Sequence, residues 1–83
     1  MLALALGNVV VNFGTVARVV GFHAVGVAGH PSNGDPILRQ IGINGRLRGG
    51  KWVADPAKCR LLTADELRRY HAGDVAVITA EVR

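Results

Sequence analysis

Residues 37–62 read ILRQIGINGRLRGGKWVADPAKCRLL, and this stretch decides the class of fold. Ile37, Arg39, Ile41 and Ile43 alternate with Leu38, Gln40 and Gly42, which is the period of a β-strand over 37–43. Asn44-Gly45 follows, the dipeptide that best tolerates the two positive-φ positions of a tight hairpin turn. Gly49-Gly50 comes so soon afterwards that the tip is either this turn or the whole of NGRLRGG. A fourth strand is expected over 51–55 and stops at Pro56, which has no N–H to give to a ladder. AKC has room for one 3₁₀ turn, and 60–62 for a short fifth strand.

Upstream, the first thirteen residues read as one or two strands. Leu2, Leu4 and Leu6 alternate with alanines, and Val9–Phe13 follows the turn-prone Gly7-Asn8 pair. A second candidate covers 15–24, where Val16, Val20 and Phe22 share a face with Arg18, read here as a side chain snorkelling at a sheet edge. Residues 26–36, GVAGHPSNGDP, form the one long loop. Downstream, Thr63-Ala-Asp-Glu66 has the pattern of a capping box and predicts a helix over 64–72. Arg68, Arg69 and His71 suit its C-terminal dipole, Gly73 ends it, and Leu67, Tyr70 and His71 give it a docking face. DVAVITAEVR, 74–83, reads as a last strand with two apolar faces.

The composition agrees with a mainly β chain. Eleven of 83 residues are glycine, and Val, Ile and Thr together supply 19. With 49% hydrophobic and 19% charged residues the chain is globular rather than disordered, and 83 residues make one domain, 1–83. That length excludes Rossmann folds, TIM barrels and two-domain enzymes. The opening seventeen residues are uncharged, but Gly7, Asn8, Asn12 and Gly14 interrupt them, so neither a transmembrane helix nor a membrane partner is expected. Cys59 is the single cysteine, which excludes an intramolecular disulfide and fits a cytoplasmic protein.

The net charge of +4 is unevenly placed. Residues 1–34 hold one charged side chain, Arg18, whereas 39–69 hold eight of the ten basic ones. Arg46, Arg48 and Lys51 crowd the hairpin tip, three cations in six residues on a Gly-rich turn that a phosphate backbone can approach closely. Trp52 stands beside them and is the aromatic placed to stack a base, while Phe13, Phe22 and Tyr70 are expected in the core. Arg39, Lys58 and Arg60 extend the basic surface.

Other chemistries find little support. Gly45 to Lys51 fits the spacing G-x-x-x-x-G-K, yet Trp52 stands where a P-loop needs Ser or Thr, and no helix follows. His23, His30, Cys59 and His71 include no short chelating pair, so no metal or other cofactor is expected. His30, Ser32 and Asp35 are turn chemistry, and no two carboxylates are placed for acid–base work. No catalytic residue is assigned.

The order NVVVN, GTVARVVGF, long loop, ILRQIGI, turn, GGKWVAD, PAKC and RLL resembles an SH3-like small barrel over residues 8–62, with 63–83 as a helix–strand extension. The resemblance implies five strands with a 3₁₀ turn between the last two. That superfamily includes KOW and Tudor modules, RNA-chaperone barrels, peptide-binding SH3 domains and small tetrameric plasmid-encoded reductases. KOW-like modules suit this composition best, whereas KWVAD and RLL do not match the V-Q-I-Y segment of the reductases. The expectation is a non-enzymatic module binding nucleic acid through Arg39, Arg46, Arg48, Lys51, Trp52, Lys58 and Arg60. The alternatives are a structural or protein-interaction subunit, homo-oligomeric through the apolar ends MLALAL and VAVITAEV, and a pore-type oligomeric enzyme.

Overall fold

Five strands, one 3₁₀ turn and one helix account for the regular structure of the computed structural model, which describes residues 4–24, 34–74 and 76. In chain order these are β1 (Val9–Asn12), β2 (Thr15–Phe22), β3 (Pro36–Ile41), β4 (Leu47–Val53), the 3₁₀ turn (Pro56–Lys58), β5 (Cys59–Leu61) and α1 (Ala64–His71). The strands form one antiparallel sheet in the order β4-β3-β2-β1-β5. Among the described residues the sheet is not closed: in place of the full barrel expected from the sequence it has β4 and β5 as its edges.

Both faces of the sheet are covered, which is why β1 reads VVVN with no polar alternation before Asn12. On one face Val9, Val11, Val16 and Ile41 pack with Leu62 and Tyr70, and Leu47 and Leu67 lie against them. On the other, Val10, Ala17, Val19 and Leu38 pack with Ala54 and Cys59, and Leu4 and Trp52 close that cluster. Each fully buried Val, Leu or Ile contributes roughly 1.5–3 kcal/mol, so these two small clusters carry the fold.

Helix α1 is held at both ends. The Glu66 N–H donates to Thr63 Oγ1 and the Thr63 N–H to Glu66 Oε1, both at 3.1 Å, which completes the capping box. Arg60 of β5 then pairs with Glu66 at 2.7 Å, joining the sheet edge to the first turn. At the last turn, the buried Tyr70 hydroxyl donates to the Ile41 carbonyl at 2.8 Å.

Several boundaries differ from the sequence reading. β4 begins at Leu47 rather than Lys51, because the turn closes within 42–46 and Gly49-Gly50 form a bulge inside the strand instead of a seven-residue tip. Residues 4–8 lie outside any strand: Ala5 and Asn8 bond each other in a turn around Gly7 (φ 85°). Phe13 and Phe22 are not core residues, at 83% and 41% exposed. Arg18 is not at an edge, since β2 is the central strand and Arg18 has strand neighbours on both sides. The strand over 74–83 and the pairing of the two apolar ends fall outside the described residues, apart from Leu4–Leu6, Asp74 and Ala76. No helix among the described residues is long and apolar enough to cross a membrane.

Candidate functional site

The β3–β4 hairpin positions most of the cations singled out in the sequence. Its turn is built by Gly42 and Asn44: the Gly42 N–H donates to the Arg46 carbonyl at 2.9 Å, and the Arg46 N–H to Asn44 Oδ1 at 3.0 Å. Gly45 takes the left-handed conformation (φ 83°) that such a turn requires. His71 Nδ1 lies 2.7 Å from the Ile43 carbonyl, so the last turn of α1 clasps the tip that the Tyr70 hydroxyl already anchors at Ile41.

Sheet register then sorts the cations by face. The bulge lets Arg39 pair with Lys51 while Gln40 pairs with Arg48, so Lys51 and Arg48 leave the edge strand on opposite faces. Gly49 (φ 73°) makes the bulge possible, and its carbonyl accepts from Arg39 Nε at 3.0 Å. Arg39 also pairs with Arg18 on its other side. Arg18, Arg39 and Lys51 therefore form a cross-strand row over β2, β3 and β4, with strands spaced roughly 4.8 Å apart. Like charges placed directly opposite each other destabilise a sheet. Arg18 Nε is buried and has no hydrogen-bond partner.

The described carboxylates form no ion pair with this row. Glu66 takes Arg60, Asp65 takes Arg68 and Arg69, and Asp74 takes Arg69 at 3.1 Å. Among the described residues, Arg18, Arg39, Arg46, Arg48, Lys51 and Lys58 have no ion-pair partner. The ion pairs among the described residues thus engage Arg60, Arg68 and Arg69 and leave the hairpin cations unpaired.

Of the seven residues expected to form the site, Arg39, Arg46, Arg48 and Lys51 come together on the hairpin. Lys58 and Arg60 do not join them; they lie on the 3₁₀ turn and on β5, the opposite edge of the sheet, and Arg60 is engaged by Glu66. Trp52 is half-buried, and its Nε1–H donates to Asn12 Oδ1 at 3.1 Å. Asn12, itself buried, also donates to the Lys58 carbonyl at 3.2 Å, so one side chain ties the indole to the 3₁₀ turn. Sequence reasoning missed Arg18, because only the β2–β3 register places it beside Arg39.

Two clefts flank the hairpin. One, of about 470 Å³, is lined by Gln40, Gly42, Asn44, Arg48, Tyr70 and His71, with Ile43 at its side. Burial pushes the Tyr70 hydroxyl pKa above its ordinary value, an effect that the nearby Arg48 guanidinium opposes. The other, of about 440 Å³, is lined chiefly by Asn12, Phe13, Thr15, Gln40, Trp52 and Asp55. Gln40 lines both. Cys59 is buried and accepts from Asn12 of the second cleft; burial raises its thiol pKa, Asp55 adds to the rise, and the side-chain bond from Asn12 opposes it. No group of three His, Cys, Asp or Glu among the described residues is placed to hold a metal ion.

Comparison of the chain with protein-family models, curated proteins and solved structures finds no match.

Proposed function

We propose that this chain is a non-enzymatic small-barrel module that binds nucleic acid through its β3–β4 hairpin. The observation that carries the reading is the Arg18–Arg39–Lys51 row, three cations abreast with no carboxylate paired to any of them among the described residues. An arrangement that repels itself in the free protein is relieved by a polyanion, and a phosphate backbone presents charges at comparable spacing. Arg46 at the turn and Arg48 on the other face of β4 add cations around the rim of the hairpin, and among the described residues no strand lies beyond β4. The strand order, with a 3₁₀ turn between β4 and β5, also supports an SH3-like barrel as the closest architecture.

In this reading Arg39, Arg46, Arg48 and Lys51 contact phosphates, Arg18 reinforces the local potential, and Arg60 holds the helix in place. Titration of labelled DNA and RNA at several salt concentrations tests it. Four phosphate contacts correspond to a log–log salt slope of about −3 for single strands. An Arg39→Ala/Lys51→Ala variant loses affinity and brings the slope closer to zero by about 1 to 2. Failure of the wild-type chain to bind any nucleic acid at low salt would refute the reading.

A further inference from the structure

The two clefts beside the hairpin share Gln40 as a wall, and their far ends differ in chemistry. At one end stand Phe13 and Trp52. The polar edge of the indole is already occupied by Asn12, so what Trp52 offers the cleft is apolar ring surface. Phe13 is exposed and sits at φ 48° as the first central residue of the two-residue turn joining β1 to β2, with Gly14 (φ 76°) second. That position favours Asn or Gly; a bulky aromatic there is strained and has no core to reward it. Strain of this kind is typically retained where the side chain is used. At the other end are Arg48, Asn44 and His71, and Arg48 pairs across the strands with Gln40 itself.

We infer that this groove takes one nucleotide unit of a single-stranded nucleic acid, the base stacked against Trp52 and Phe13 and a phosphate held by Arg48. The inference deepens the nucleic-acid reading above and rests on it. Polarity along the groove fixes the direction. Asp55 lines the aromatic end, where a carboxylate repels phosphate and can accept from a base amino group, whereas among the charged residues Arg48 is the one lining the other end. Gln40, midway, has both a donor and an acceptor for a base edge. A duplex keeps its base faces stacked inside and can use none of this, so the groove selects unpaired strands.

Trp52 is the single tryptophan, so its emission reports the groove directly. The full chain is titrated with oligodeoxycytidylate, oligocytidylate, a short DNA duplex, inorganic polyphosphate and a proline-rich peptide. Quenching of Trp52 by either single strand, with polyphosphate and duplex binding but leaving the emission unchanged, is the expected result; the tighter of the two single strands assigns the sugar. Phe13→Asn, which suits the turn better than Phe, weakens single-strand binding by roughly 5- to 150-fold, the loss of one stacked base, and leaves polyphosphate binding unaltered. Single strands that bind without quenching, or Phe13→Asn with undiminished affinity, would overturn the groove while leaving the basic row intact. Quenching by a proline-rich peptide but by no single strand would assign the groove to a peptide instead and overturn it too. Absence of binding to polyphosphate and every nucleic acid would remove both readings.

Discussion

Arg18 and Arg39 face each other across the β2–β3 ladder, in the interior of the sheet rather than at its rim, with no carboxylate among the described residues paired to either. Lys51 extends the same line onto the edge strand β4. Charge of one sign is thus concentrated across three neighbouring strands, while Asp65, Glu66 and Asp74 pair with the arginines of β5 and α1, and this uncompensated row favours a polyanionic partner.

Lys51→Glu separates stability from binding. A carboxylate opposite Arg39 converts a repulsive cross-strand pair into an attractive one and raises stability by about 0.2–1 kcal/mol. The same change places negative charge at the proposed phosphate surface and is expected to weaken nucleic-acid binding. Urea denaturation alongside a binding titration checks both signs, and a variant that is both less stable and equally tight in binding would contradict the arrangement.

Phe13→Asn is expected to stabilise the chain by about 1 kcal/mol, because Asn enters the left-handed region at lower cost than Phe and Phe13 gives up no burial. Thermal denaturation provides the measurement.

Tyr70→Phe removes the hydroxyl that donates to the Ile41 carbonyl, and leaves that buried acceptor without this partner. A loss of about 1 kcal/mol follows, read as a lower denaturation midpoint with an unchanged slope. Because the same bond anchors the base of the hairpin, amide exchange across 41–46 should quicken in this variant.

Acid weakens the helix junction through Glu66. The Thr63 backbone N–H and then the Arg60 guanidinium hold the Glu66 carboxyl below its ordinary pKa. A depressed carboxylate stabilises the fold fully above the unfolded value, near 4.3, and that contribution disappears as pH falls through the folded value. The stability difference between the wild-type chain and Glu66→Gln should therefore be constant from neutral pH to about 5 and shrink below about 4.3. A difference that instead grew on acidification would contradict the pairing with Arg60.

Much of this was legible in the residues. Asn44-Gly45, Pro56 and the Thr63–Glu66 box are local signals whose geometry follows from one or two side chains, and they placed the hairpin, the 3₁₀ turn and the helix within a residue or two. What was hidden depended on register. Gly49-Gly50 reads as a loop by composition, and only its pairing with β3 makes it a bulge that separates Arg48 from Lys51. Arg18 is isolated in sequence by twenty residues from the next basic side chain, yet the ladder sets the two side by side. Phe13 looked like a core aromatic because it ends an apolar run; the tight return into Thr15 turns it out to solvent instead.

The most direct test of the central claim is the salt dependence of oligonucleotide affinity for the wild-type chain and for Arg39→Ala/Lys51→Ala. Saturable binding at low salt, a log–log slope of about −3 for single strands in the wild-type chain, and a shallower slope with lower affinity in the variant are the expected results. Equal slopes and equal affinities in the two proteins would show that the cross-strand cation row is not the nucleic-acid surface.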